Sequence, residues 1–231
     1  MSPHFTLVVC LCGVFCLTPL SLYLFWAAIV TRRTSPTIVS GQWDFVGVIL
    51  GLSGFILFGG GLVLSLLQSN FRYWMRGNFE SLRAAWAQEK TSWLLLAAVY
   101  AFSVIGIVAL TLASRRRSLV VYNIEPAAFE ATIVEVFEHL GQPIERRGNL
   151  WVSGGPLFEL DRFDSGQTVT LRWVAADGLL FVEVERLLRE AMINVAGADS
   201  HATRWLMACA GGTGFWAGCC LGLLLVYVFS R

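Results

Sequence analysis

The chain has 231 residues, of which 56% are hydrophobic and 14% charged, with a mean hydropathy of +0.64. Soluble domains run near 45–50% apolar and about 25% charged, so the composition points to a membrane protein. The net charge of +1 conceals a split. Residues 118–204 carry 13 acidic and 7 basic side chains, a net of −6, and the remainder carries +7. Polyphosphate binding needs clustered Lys and Arg, so the acidic part argues against nucleic acid as a partner.

A helix crosses the hydrocarbon with roughly 20 apolar residues. Four runs meet that length: 5–30, 45–67, 93–113 and 205–229, none containing Asp, Glu, Lys, Arg or His. Trp43, Trp93 and Trp205 stand at the leading ends of the last three, where amphipathic rings favour the membrane interface. A cleaved signal peptide would have a cationic start and an apolar stretch of about 7–15 residues. The opening MSPHFT has no Lys or Arg, and the run behind it is 26 residues long. It is therefore expected to stay as a helix.

Between the second and third spans, Phe71, Met75, Phe79, Leu82 and Trp86 recur at helical spacing. An interfacial helix over 70–88 fits them, and a helical extension of a neighbouring span fits equally. Gly77 and Asn78 interrupt the pattern.

The third span ends at three consecutive arginines, Arg115, Arg116 and Arg117, and the first at Arg32 and Arg33. Cytoplasmic flanks are enriched in Lys and Arg. These five residues are expected at the lipid headgroups, where each gains on the order of 1 kcal/mol from an anionic leaflet. They place residues 118–204 in the cytoplasm and both chain ends outside. With Arg204 the inside flanks hold six basic residues, against five outside: Arg72, Arg76, Arg83, Lys90 and Arg231. Sixteen arginines to one lysine suggest a GC-rich bacterial genome, and hence a bacterial cytoplasmic membrane.

From residue 118 the periodicity changes. SLVVYNI is β-branched and aromatic, the mark of a strand. Pro126 suits a first helical turn. Phe129, Ile133, Val136 and Leu140 form the apolar face behind it, and Gly141 marks its end. Strands are expected at 143–147, 149–153, 157–163 and 168–174, separated by turns at Gly148-Asn149, 154–156 and 164–167. In the last, Val169, Leu171 and Trp173 alternate with Thr170 and Arg172, as in a sheet with one buried face. Asp177-Gly178 opens a second helix carrying Leu180, Val184, Leu187, Leu188 and Ala191.

The fold class read from this is four transmembrane α-helices plus a small α+β domain. Its order is β-α-β-β-β-β-α, with a mostly antiparallel sheet inserted between helices three and four. The division is 1–117 for the three-span region, 118–204 for the domain and 205–231 for the fourth helix.

Chemistry is scarce. All six cysteines fall in apolar runs and read as small packing residues. His4, His139 and His201 lie in unrelated segments, and His139 sits in a last helical turn, where a cation is favourable. Glu159 and Asp161 share a strand face with Asp164 nearby. A solvated outer face explains them better than a metal or paired-carboxylate site. No phosphate-binding loop or nucleophile elbow is present, so no catalytic residue, cofactor or metal ligand is assigned. The spans hold no ionisable group of the kind that lines transport pathways.

Small residues instead recur at four-residue spacing: Ala210, Gly214, Gly218 and Gly222 in span four, and Gly47 and Gly51 in span two, with Gly54 and Gly61 continuing that face. Such rows let helix backbones approach closely, either within the chain or against a second membrane protein or copy. The expected function is non-enzymatic: a polytopic membrane protein whose cytoplasmic domain binds a protein partner or scaffolds a membrane complex. The alternative is a transporter or channel component with that domain as its regulator. The expected partners are membrane lipid and a membrane protein or a second copy.

Overall fold

The structure is a computed structural model and describes residues 3–67, 80, 84, 90–163, 167–193, 195–197 and 201–230. The helix expected over 70–88 and residue Asp164 lie outside the described residues, apart from Glu80 and Ala84.

Along the chain the elements are α1 (Pro3–Thr31), β1 (Thr37–Ser40), α2 (Gly41–Leu67), α3 (Lys90–Ser114), β2 (Ser118–Tyr122), α4 (Pro126–His139), β3 (Glu145–Arg147), β4 (Leu150–Val152), β5 (Pro156–Phe163), β6 (Thr168–Trp173), α5 (Gly178–Met192) and α6 (His201–Phe229). Helices α1, α2, α3 and α6 are long and apolar enough to cross a membrane. Their backbones satisfy their own hydrogen bonds, as any chain surrounded by hydrocarbon requires.

Two compact units emerge. One holds residues 1–24, 48–111 and 209–231; the other holds 25–47 and 112–208. Among the described residues the first consists of apolar helix. Its packing rests on missing side chains. Pro19 lies inside α1 and has no N–H to offer the carbonyl of Phe15 four residues back. The backbone of Gly54 on α2 lies against that same Phe15 carbonyl, and a Cβ at 54 would stand 2.6 Å from the Cys16 Cα. Only glycine permits that approach. Gly51 abuts Tyr23, Gly60 abuts Tyr100, and the Tyr100 hydroxyl donates to the Ile56 carbonyl at 2.6 Å. On α6, the Ala210 carbonyl accepts from Ser21 at 2.9 Å.

The second unit is built on a six-stranded, wholly antiparallel sheet in the order β1-β2-β6-β5-β4-β3. Five strands match those expected at 118–124, 143–147, 149–153, 157–163 and 168–174. The sixth, β1, was not expected. It comes from the α1–α2 connection and pairs with β2 from Thr37–Tyr122 to Ser40–Leu119.

Helices α4 and α5 bury one sheet face, with Leu119, Val121, Phe158, Leu160, Val169, Leu171 and Trp173 beneath them. Phe158 is at the centre, stacked on Phe137, Trp151 and Trp173 at 5.6, 5.8 and 6.1 Å between ring centroids. Helix α4 starts on Pro126 and ends in a Schellman motif: Gly141, at φ +68, donates to the Glu138 carbonyl, and Gln142 donates to the Phe137 carbonyl. The Asp177 carboxylate caps α5 by accepting from the Leu179 and Leu180 amides. The buried ridge of α5 is Phe181, Val184, Leu188 and Met192, with Leu180, Leu187 and Ala191 on its flanks. The apolar stripe is thus centred on two residues, Phe181 and Met192, that the sequence spacing left out.

Candidate functional site

Within the second unit, the sheet meets the helix segments that belong to the same unit, 25–31, 41–47, 112–114 and 201–208, at two corners. At the first, α2 begins beside the end of α3. Gln42 Nε2 donates to the Leu112 carbonyl at 3.1 Å, and Gly41 packs against Ser118, the first residue of β2. Buried Asp44, in the first turn of α2, accepts the Tyr122 hydroxyl on one carboxylate oxygen; the other lies 3.8 Å from Arg115. The Arg115 guanidinium also covers the Phe45 ring, 5.2 Å from its centre. An acid in the first turn of a helix is favoured by the helix dipole.

At the second corner, α1 ends and α6 begins. Thr203 donates to the Thr31 carbonyl at 3.1 Å, and Gly197 N–H to the Thr34 carbonyl at 2.7 Å. Asn123, at φ +62, donates its side-chain amide to the Arg33 carbonyl. Strand β2 joins the corners, from Ser118 at the first to Asn123 just past its end at the second. It runs across the helix ends for about 17 Å at roughly 3.4 Å per residue.

Which face of β2 meets the helix ends follows from burial. Leu119 and Val121 point into the core under α4 and α5. Ser118, Val120 and Tyr122 share the opposite face. Ser118 and Val120 are nevertheless only 5% and 4% exposed, and Tyr122 reaches Asp44. The helix-free face of β2 therefore rests on the helix ends.

The arginines expected to mark the headgroup level divide by role. Arg115 is tied to Asp44 and Phe45. Arg117 donates to the carbonyls of Ala175 and Ala176 at 3.3 and 3.2 Å, bracing the turn into α5. Arg116, Arg32 and Arg33 are exposed. Trp43 and Trp205 are exposed and Trp93 is buried.

The small-residue rows divide as well. Gly51 and Gly54 meet α1 closely, and Gly47 is half-buried. Ala210 is buried, and a Cβ at Gly214 would stand 2.9 Å from the Ser21 hydroxyl. A Cβ at Gly218 or Gly222 would meet nothing within 4 Å, and the same holds for Gly211 and Gly212. The row therefore contacts the chain at its start and faces outward at its end.

Glu159 and Asp161 are exposed on the helix-free face of β5. Glu130 on α4 pairs with Arg146 at 3.2 Å and with Arg162. His139 Nδ1 lies 2.8 Å from the Glu135 carbonyl in the preceding turn. Arg186 bridges Glu183 and Glu190 along α5 at 2.5 and 2.8 Å, and its hydrogen bond holds the Glu183 carboxyl below its ordinary range. Among the described residues no three His, Cys, Asp or Glu side chains gather as a metal site would require. Asp44 and Asn123 were missed in the sequence reading. Asp44 lies one residue outside an otherwise uncharged span, and that position is the signal that could have found it. No protein-family model, curated protein or solved structure matches the chain.

Proposed function

We propose that this chain is a non-enzymatic, multi-pass protein of a bacterial cytoplasmic membrane. Its α+β domain faces the cytoplasm and holds a membrane complex together through a protein partner. The observation that carries this reading is the bare flank of the apolar helices. On α3, Leu95, Val99, Phe102, Ile105, Ile107 and Leu110 are all well exposed, and on α6 the glycines at 218 and 222 offer a close-approach surface. Lipid tails satisfy the first surface. The second favours a helix, because association in lipid is driven by backbone proximity and packing. The orientation is supported by the two arginine clusters, which belong to the same compact unit as the sheet.

Affinity isolation of the full chain from native membranes tests the proposal. Defined partner subunits in fixed stoichiometry are the expected result. Solute flux through vesicles containing only the pure protein would overturn it in favour of a transporter. A reporter fused at residue 160 that is active only outside the cytoplasm would overturn the orientation.

A further inference from the structure

Two non-glycine residues take positive φ among the described residues, Asn123 at +62 and Gln167 at +47. Asparagine visits that region readily, whereas glutamine lacks the short polar arm that offsets its cost. The same two residues carry buried side-chain oxygens, Asn123 Oδ1 and Gln167 Oε1, with no hydrogen-bond partner among the described residues. They are also neighbours. The β2–β6 ladder ends at the pair Tyr122–Thr168. One step beyond it Asn123 stands opposite Gln167, whose carbonyl accepts from the Ile124 N–H at 3.0 Å. Asn123 is 2% exposed. Its amide orientation is assigned from its hydrogen bond: the nitrogen must face the Arg33 carbonyl, which leaves the oxygen as the orphaned end. A buried oxygen without a donor is costly. Two of them on facing, conformationally disfavoured residues mark a place that a ligand completes.

We propose that this corner binds a monovalent cation, held by Asn123 Oδ1 and Gln167 Oε1. Every residue involved lies in the second unit. Acceptors gather there. The Arg33 carbonyl takes the Asn123 amide, the Thr34 carbonyl takes the Gly197 N–H at 2.7 Å, and both keep a second lone pair. Gly197 closes over them: a Cβ there would stand 2.5 Å from Asn123 Nδ2 and 2.7 Å from the Thr34 oxygen. A water bridging the two side-chain oxygens would need a donor for its own oxygen, and the Ile124 and Gly197 N–H groups are already committed. A cation makes no such demand. All of these oxygens are neutral. Amide and peptide carbonyls suit a monovalent ion such as potassium, whereas calcium and magnesium sites recruit carboxylates. Through Asn123 the ion ties the segment behind α1 to the end of β2, a structural role independent of the function proposed above.

The test is the melting temperature of the full chain in detergent, in potassium, sodium and choline chloride at equal ionic strength, with calcium chloride as the divalent control. Potassium or sodium should raise it by a few degrees in a saturable way and choline should not, because a ligand bound only by the folded state stabilises that state by mass action. Gln167→Gly removes one of the two oxygens and relieves the backbone. Melting of that variant should no longer distinguish the salts, and in choline it should match or exceed the parent. Gln167→Glu places a charged oxygen at the same position and should lower the half-saturating potassium concentration several-fold, which keeps the test decisive if the glycine variant fails to fold. Equal melting of the parent in all the salts would overturn the inference. So would a potassium response that Gln167→Gly leaves intact, or a half-saturating concentration that Gln167→Glu leaves unchanged. A response confined to calcium would overturn the monovalent assignment.

Discussion

The two compact units solve the burial problem in opposite ways. In the sheet unit, large side chains fill the interior: Phe129 and Phe137 of α4 and Phe158 of β5 are fully buried, and stability comes from apolar area removed from water. In the apolar unit, most large side chains point outward and the close contacts fall where side chains are absent. Gly54 against Phe15 and Cys16, and Gly51 against Tyr23, bring α1 and α2 close together. When the surroundings are as apolar as the side chains, burying leucine gains little, and backbone proximity takes its place. One chain therefore places its large residues in two different patterns, inward in one unit and outward in the other.

That contrast can be broken at graded cost. The largest effect belongs to Phe158→Ala, which removes a ring stacked on three aromatic neighbours. A loss of about 3–5 kcal/mol is expected, read as a lowered denaturation midpoint of the sheet unit in the full chain. Gly54→Leu comes next, because its side chain would have to enter the α1 backbone. Overpacking of this kind costs about 1–3 kcal/mol, read as a lower melting temperature in detergent.

The companion change sharpens the comparison. Gly218→Leu has room within the chain and should stay within about 0.5 kcal/mol of the parent, as other unconstrained surface sites do. A change in oligomer size with unchanged stability would assign the outer part of that row to an association seam.

Asp44→Ala is expected to be comparable in size to Gly54→Leu. It removes the acceptor of one Tyr122 hydrogen bond and the carboxylate beside Arg115, at about 1–3 kcal/mol for a buried hydrogen bond lost. Tyr122→Phe should be milder, and the double mutant less than additive, since the two changes remove one shared hydrogen bond. The smallest effect is one of pH. The Glu183 carboxyl is lowered by its bond to Arg186, so its contribution is present above the unfolded carboxylate range and is lost as pH falls through the folded value. Because the pair is exposed, the expected result is a slight drop in melting temperature below about pH 4 that Glu183→Gln abolishes.

What the residues disclosed in advance depended on the range of the forces involved. The length of uncharged apolar runs exposed the four long helices, and local composition, alternation and turn residues exposed five of the strands. The Gly141 stop on α4 was legible for the same reason, since its requirement for positive φ is local. Strand β1 was not. Four residues, Thr37 to Ser40, follow Ser35-Pro36 and precede a span, and their partner lies some 80 positions further on. So short a segment has no period to detect, and only the register against β2 makes it a strand. The triple arginine was legible as a boundary but not in its division of labour, which depends on Asp44, Phe45 and the carbonyls of Ala175 and Ala176 being brought alongside it. In the small-residue rows, spacing revealed the candidate faces. It could not reveal that Gly214 meets Ser21 while Gly218 meets nothing.

The central claim is that the α1–α2 connection supplies β1, which completes the six-stranded sheet by pairing with β2. Hydrogen exchange of the full chain in lipid nanodiscs tests it directly, at the amides of residues 37–40. The account predicts protection within about tenfold of β2, as expected of one cooperative unit, and loss of that protection when Val121 is replaced by Pro in the facing strand. Exchange at residues 37–40 at the rate of an unstructured loop, with β2 still protected, would contradict it.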